Sequence, residues 1–393
     1  MKILWAKADF LHPTITGGRI RTLGMLKRLH RRHEIHYVGL DLDPKSGAVE
    51  RSSEYCTKAY PIPHQAALHS SPRFWLQTAE GMFSQLPVAV RRYRSAGMRR
   101  MIAALMEKEK FDAVVCDFLS VSPNMPDLAG VVLFQHNVES QIWKRRVNHT
   151  SFPPARIFVQ SQYEKMLRYE AQVCRAVKRV IAVSEHDAQT MRSEYGVQCV
   201  QAVPTGVDVD YFTPPDDVQR APSLVFVGSM DWAPNVDGFQ WFVREVLPII
   251  RARRPDCVLT IAGRRPHYSI RKSGEQDPSI RVTGTVPDVR PYLWEASVSI
   301  VPLRIGGGTR LKIFEAMAAR LPVVSTTIGA EGLDLKHGET IRIADSPQDF
   351  AGHCLDLLDD AAAARSLADA AWEMVSACYS WEMASRQFER LLT

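Results

Sequence analysis

The segment Val301-Pro302-Leu303-Arg304-Ile305-Gly306-Gly307-Gly308-Thr309-Arg310-Leu311-Lys312-Ile313-Phe314-Glu315-Ala316-Met317-Ala318-Ala319 sets three glycines, a hydroxyl and two cations in close succession. The pattern predicts a strand end, a glycine turn and a helix with Thr309 as its N-cap. Arg310 and Lys312 then fall in the first helical turn, where positive charge opposes the helix dipole. An anion bound at that N-terminus reverses the balance, and Gly306, Gly307 and Gly308 let backbone approach it closely. Phosphate or diphosphate is the simplest occupant. The competing interpretation is a tight turn with solvated cations, but helix position, charge and glycine content agree on the phosphate. Glu315 lies three residues after Lys312 on nearly the same face. Its carboxylate would repel phosphate, so it suits either the neutral diol of a ribose or an intrahelical pair with Lys312, and residue types alone leave both open.

A second loop repeats this logic near the N-terminus. In Thr16-Gly17-Gly18-Arg19-Ile20-Arg21 two glycines precede two basic residues, with no cap expected. A solvated strand-to-helix turn is nearly as good an interpretation. Further on, Val131-Val132-Leu133-Phe134 runs into Gln135-His136-Asn137-Val138-Glu139-Ser140. Polar residues at the carboxyl end of a strand occupy the crevice of an open α/β sheet. Asn137 can cap the next helix, and Glu139 suits a helix N-terminus or an acceptor hydroxyl. A lone histidine such as His136 is, on residue type alone, more often structural. The pairs Asp41/Asp43 and Asp208/Asp210 sit among turn residues and in an interdomain segment, so neither is expected to hold a metal. There is no G-x-x-x-x-G-K-[ST] and no G-x-G-x-x-G, which argues against a P-loop NTPase and a dinucleotide fold using that fingerprint.

These loops need a scaffold, and the apolar runs supply one. Lys2–Ala8, Glu34–Leu40, Ala113–Asp117, Val131–Gln135 and Arg179–Ser184 read as strands alternating with helical segments such as Gly18–Arg32. The rhythm restarts with Leu224–Gly228, a helix over Val236–Arg253, and strands at Val258–Gly263, Arg281–Thr285, Val298–Pro302 and Val323–Thr326. This predicts an α/β chain of two Rossmann-like domains facing across a cleft. The first spans 1–200 and the second 201–379, with Thr213–Pro222 as linker and an amphipathic helix about 380–393 able to pack back on the first domain.

From Lys312 through Ala319 into Leu321-Pro322-Val323-Val324-Ser325-Thr326, the chain resembles the GT-B glycosyltransferases of family 4. Val203-Pro204-Thr205-Gly206-Val207-Asp208 and Tyr379-Ser380-Trp381 resemble the family's interdomain segment and the start of its terminal crossover helix, so the likeness covers essentially the whole chain. The resemblance implies a retaining hexosyltransferase of the kind used in polysaccharide biosynthesis. Its donor would be a nucleotide-sugar and its acceptor a glycan, a lipid-linked sugar or a small molecule. It implies that Glu315 holds the nucleotide ribose. The partner glutamate that touches the donor sugar would fall at Gly307. The family's arginine and lysine after the first strand of the second domain are missing from Phe226-Val227-Gly228-Ser229-Met230-Asp231-Trp232-Ala233-Pro234-Asn235. Gly228 is counted with the donor-binding residues, and Arg310 and Lys312 are expected to take over the diphosphate. The likeness also places Gly17, Gly18 and Arg19 near the donor phosphate and acceptor, and aims His136 at the donor sugar. Two other functions remain open: a catalytically silent nucleotide-sugar-binding module, which Gly307 favours, and a nucleotide-sugar epimerase of the same fold.

Composition sets outer bounds. The 393 residues are 46% hydrophobic and 23% charged, enough for two ordinary cores. A net charge of +6, from 49 Lys+Arg against 43 Asp+Glu, is too mild to indicate a nucleic-acid partner. The seven cysteines are scattered, with no C-x-x-C pair, and fit a reducing compartment better than a disulfide framework. The expected site is the cytoplasm, and no metal or other cofactor is expected. Arg91-Arg92-Tyr93-Arg94 with Arg99 and Arg100, near Phe74, Trp75 and Phe83, suggests peripheral contact with anionic lipid at the inner membrane face, or simply a solvated helix with aromatic anchors.

Overall fold

The computed structural model describes residues 1–14, 16–64, 84–150, 152–216, 218, 220–305 and 311–392. It divides into two units, Met1–Gly206 with Ala384–Thr393, and Val207–Met383.

Unit 1 is built on a parallel sheet of seven described strands in the order β3-β2-β1-β4-β5-β6-β7. They are β1 Lys2–Lys7, β2 Glu34–Asp41, β3 Lys58–Pro63, β4 Ala113–Asp117, β5 Val131–Phe134, β6 Arg179–Ala182 and β7 Val200–Ala202. Its central strands are apolar on both faces, as helices on both sides require, and Ile3, Leu4, Trp5, Val115, Cys116 and Leu133 are fully enclosed. Helices α1 Gly17–Leu29, α2 Ala96–Lys108, α3 Glu139–His149, α4 Pro153–Ala176 and α5 Glu185–Tyr195 belong to this unit.

Unit 2 repeats the plan with six described strands in the order β10-β9-β8-β11-β12-β13. These are β8 Ser223–Val227, β9 Val258–Ala262, β10 Ile280–Gly284, β11 Val298–Val301, β12 Val323–Ser325 and β13 Arg342–Ile343. Its main helices are α6 Ala233–Trp241, α7 Leu311–Ala318, α8 Pro347–Asp359 and α9 Ala361–Cys378. In each sheet the strand order reverses once, between β1 and β4 and between β8 and β11. Ligands of open α/β sheets bind outside the carboxyl ends of the strands at that reversal.

Three expectations need correction. The chain passes between units at Gly206, ahead of Thr213–Pro222. Val203 still pairs with β6 through its N–H to Ala182 O, whereas Val207 exchanges bonds with Tyr379 O and the Trp381 N–H. The proline-rich stretch is held inside unit 2, where Trp294 Nε1 donates to Phe212 O at 2.7 Å and Arg220 Nη2 to Ala319 O at 3.0 Å. The single helix expected over Val236–Arg253 is interrupted by a π-helical turn at Phe242–Val246, just before Pro248, which has no N–H for a regular bond. Finally, Thr16 does cap α1, its side chain accepting from the Arg19 N–H at 3.4 Å.

The last helix, α10 Trp381–Arg390, starts in unit 2 and ends in unit 1. Phe388 lies against Trp5 and Phe134, with ring centroids at 5.5 and 4.9 Å, and Arg32 Nη2 donates to Glu389 Oε2 at 2.9 Å.

Candidate active site

At the reversal in unit 2, β8 ends in Gly228-Ser229 and α6 follows with Pro234 in its first turn. Asn235, next along, is buried. Its Nδ2 donates to Ser229 O at 2.8 Å, and its Oδ1 accepts from Lys312 Nζ at 2.8 Å. The Lys312 ammonium also lies 4.7 Å from the Phe226 ring centroid. A Cβ on Gly228 would stand 2.7 Å from Asn235 Nδ2 and 2.9 Å from Lys312 Nζ, so a side chain there would displace the pair. A second cation meets the same dipeptide from β9: Arg264 Nε donates to Ser229 Oγ at 2.9 Å. Close packing of the two loops depends on Gly263, whose Cβ would come within 1.7 Å of Gly228 O. One turn beyond Lys312 on α7, burial pushes the Glu315 carboxyl up to about 7, with Lys312 opposing. Gly306, Gly307, Gly308, Thr309 and Arg310 lie outside the described residues.

At the reversal in unit 1 the ends of β1 and β4 are paired, Lys7 beside Asp117. Asp117 is fully buried and takes four donors. Lys7 Nζ and His136 Nε2 bond its Oδ1 at 3.1 and 2.7 Å, while Trp5 Nε1 and Thr22 Oγ1 bond its Oδ2 at 3.0 and 2.7 Å. Burial alone would raise this carboxyl, but Lys7, His136 and Thr22 outweigh it and hold it well below the usual range. Arg21, also buried, reaches His136 Nδ1 at 3.1 Å and Thr205 Oγ1 at 2.6 Å. Because a guanidinium can only donate, Nδ1 is the acceptor and Nε2 carries the proton given to Asp117. Burial, aided by Arg21 and Lys7, pushes the imidazole down to about 3 against the pull of Asp117, so the ring is neutral.

Phe118 closes this cluster. Its φ of +80° is a rare conformation for a bulky residue, and such strain persists only where surrounding contacts impose it. Those contacts are present: its ring stacks on His136 at 3.9 Å and 12°, and Lys7 Nζ lies 4.3 Å from its centroid. A Cβ on Gly18 would meet the ring at 2.8 Å, which explains a glycine there.

The α3 N-terminus is capped from a distance. Glu170 on α4 accepts the Glu139 and Ser140 N–H groups at 2.9 and 2.8 Å, and also Gln135 Nε2 and Tyr195 Oη at 2.6 and 2.7 Å. Asn137 is therefore not the cap; its side chain bonds the Glu139 carboxyl, which burial and then Glu170 push up to about 7.

Among the described residues, Gly228 and Lys312 meet at the unit 2 reversal and Gly18 and His136 at the unit 1 reversal, and two of the predicted residues differ from expectation. His136 is 2% exposed and both ring nitrogens are engaged, so its imidazole does not open onto a substrate. Arg19 turns toward the preceding loop, with Nε on Asp9 Oδ2 at 2.6 Å and Nη1 on Pro13 O at 3.0 Å. Sequence reasoning missed Asp117, Glu170, Asn235 and Arg264. A buried-strand aspartate and the polar Asn235 after Pro234 were visible signals; Glu170 inside a long helix gave none.

Known proteins match this chain as follows. A family model described as Glycosyltransferase Family 4 matches residues 15–211, and one described as Glycosyl transferases group 1 matches residues 221–360. An uncharacterized 44.6 kDa protein in the cps region of Klebsiella pneumoniae is 23% identical over 397 residues, covering 96% of each chain. The GDP-mannose-dependent monoacylated alpha-(1-6)-phosphatidylinositol monomannoside mannosyltransferase of Corynebacterium glutamicum is 24% identical over 230 residues, 53% of this chain and 60% of that one. Among solved structures, Anabaena Alr3699/HepE in complex with UDP superposes with a TM-score of 0.68 at 13% identity, over 100% of this chain and 99% of that one.

Two outcomes follow from the buried charges. Asp117→Asn leaves the Lys7 ammonium buried without its counter-charge and should cost about 3–5 kcal/mol, seen as a lower urea midpoint; an unchanged midpoint would contradict the cluster. Glu315 keeps its proton to about pH 7 in the folded chain, against an ordinary value of 4.5. Between those pH values the unfolded chain binds fewer protons, so stability falls as pH rises through the window and is level above it. Glu315→Gln removes that loss. Relative to the parent it should gain on the order of 2–3 kcal/mol between pH 4.5 and 8, and equal urea midpoint differences at both pH values would refute the shift.

Proposed function

The chain belongs to glycosyltransferase family 4 and has the GT-B fold, and from that premise we propose that it transfers a sugar from a nucleoside-diphosphate sugar to a glycan, lipid-linked or small-molecule acceptor with retention. The observation that carries this is the Lys312–Asn235 pair at the unit 2 reversal, joined there by Arg264 and by a carboxyl on the same helix. Two cations on one Gly228-Ser229 turn suit a diphosphate, and Glu315 one turn away suits the ribose hydroxyls. Arg310 and the Gly306–Gly308 amides are assigned to the same diphosphate.

Chemistry proceeds as the bond from the anomeric carbon to the diphosphate oxygen breaks. Lys312, Arg264 and Arg310 stabilise the charge that develops on the leaving group, in place of a divalent metal. The acceptor hydroxyl attacks from the face the diphosphate leaves, and a departing phosphate oxygen takes its proton. On unit 1, Asn137 and Glu139 are assigned to the acceptor. His136 is a positioning residue, holding Phe118 and the end of β5 rather than touching the sugar. Gly17 and Gly18 open α1 beside that cluster, and Arg19 supports the loop through Asp9. The UDP complex of the Anabaena protein and the GDP-mannose dependence of the Corynebacterium enzyme make uridine and guanosine donors the first to try. Seven free thiols fit a cytoplasmic setting, and among the described residues no helix is long and apolar enough to cross a membrane.

Isothermal titration in EDTA tests the donor assignment. Lys312→Ala and Arg264→Ala each remove a charge-assisted contact, costing about 1.5–3 kcal/mol, or roughly tenfold to hundredfold in nucleoside diphosphate affinity. Glu315→Ala should weaken the nucleotide and leave pyrophosphate unaffected. Parent-like binding by the Lys312 and Arg264 variants would place the diphosphate elsewhere.

A further inference from the structure

The α3–α4 turn presents two large apolar side chains to solvent: Phe152 is 66% and Ile157 71% exposed. Lys144, Arg145 and Arg146 on α3 and Arg156 on α4 are exposed as well. From Ser140 to Tyr163 the sequence contains no Asp or Glu, so the acids that face these cations come from outside the segment: Asp187 beside Arg145 and Glu139 beside Arg146.

The same turn overhangs its sheet. Helix α4 has 24 residues, about 36 Å at the usual helical rise, whereas the neighbouring strands of four or five residues span only about 15 Å. Its buried side chains begin at Gln162, and none from Pro153 to Ser161 is buried. Val159 reaches the core ahead of the first buried side chain, and because helix α4 ends where β6 begins, its exposed first residues lie toward the opposite edge. That is the carboxyl edge, which carries Asp117 and His136.

We propose that this tip is a membrane-docking element: Phe152 and Ile157 enter the interface of an anionic bilayer while Lys144, Arg145, Arg146 and Arg156 face its headgroups. Apolar side chains left in water gain from entering the acyl boundary, and the exposed Lys144, Arg145, Arg146 and Arg156 are drawn to the negative surface potential of anionic lipid. The basic run Arg91–Arg100 fits this task less well. Arg99 donates to Met125 O and Pro126 O at 2.7 and 3.3 Å, and Arg92 lies over the Tyr93 ring. Its expected aromatic anchors Phe74, Trp75 and Phe83 lie outside the described residues. Docking through the tip also places the acceptor edge of unit 1 next to a surface that can present a lipid-linked acceptor. It does not depend on the donor assignment in unit 2, so nucleotide titration serves as an independent control.

Co-sedimentation of the full chain with vesicles tests the proposal. The parent should bind phosphatidylglycerol–phosphatidylcholine vesicles, not phosphatidylcholine alone, and should detach in high salt. Phe152→Ser with Ile157→Ser, and separately Lys144→Gln with Arg145→Gln and Arg156→Gln, should each lower the bound fraction at least about fivefold, with nucleotide binding as in the parent. Arg91→Gln with Arg92→Gln should sediment as the parent does. The proposal is overturned if the parent ignores anionic vesicles, or if the apolar variant binds as well as the parent. Loss confined to the charge variant also overturns it, because binding would then be electrostatic attraction without insertion of Phe152 and Ile157.

Discussion

Unit 1 depends on one buried carboxylate. Asp117 stands at the end of a central strand, where an unpaired charge is costly, and it persists because four donors converge on it. Those donors come from β1, from α1 and from the residue two positions past β5. One carboxylate therefore fixes the mutual positions of three segments at the sheet reversal. It sets the tautomer of His136, which frees Nδ1 to accept from Arg21, and Arg21 in turn holds Thr205 where the chain leaves the unit. The strained backbone of Phe118 is paid for by the same contacts.

Unit 2 solves a related problem with a neutral group. Arg264 is anchored on the Ser229 hydroxyl and Lys312 on the Asn235 amide. Asn235 accepts from Lys312 while donating to Ser229, so one amide ties the ammonium to the turn after β8. A positive charge in the first turn of α7 opposes the helix dipole, which leaves the site suited to an anion. Glu315 adds to this: burial weakens its acidity until neutral pH, so it can sit one turn from the proposed phosphate site at modest electrostatic cost.

Strand rhythm and the two glycine-led loops were legible because they are local. Ten of the thirteen described strands could be traced from apolar runs, the edge strands β3, β7 and β13 being too short or too exposed to stand out, and Lys312 and Glu315 could be placed on one helix face by spacing. What sequence could not show is which distant residue answers each polar group. Lys7 and Asp117 are 110 residues apart, Asn235 and Lys312 77, and Glu170 lies 30 residues from the Ser140 N–H it caps. Local cap rules chose Asn137 for that last task because they cannot see a carboxylate arriving from another helix. Proline misled in both directions: around Thr213–Pro222 it suggested a linker where hydrogen bonds hold the chain to unit 2, and at Pro248 the regular helical spacing hid a π turn. The acidic gap from Ser140 to Tyr163 was present in the sequence, but only exposure of Phe152 and Ile157 gives it meaning.

The central claim is that the cations at the unit 2 reversal release a nucleoside diphosphate as a sugar is transferred with retention. The most direct measurement is proton NMR of the full chain incubated with UDP- and GDP-sugars and simple glycoside acceptors, following nucleotide release and the anomeric coupling of the new glycoside together. Release from one donor is expected, with the donor's anomeric configuration kept in the product. A product of inverted configuration, or a donor consumed to an epimerised nucleotide-sugar with no glycoside formed, would contradict it.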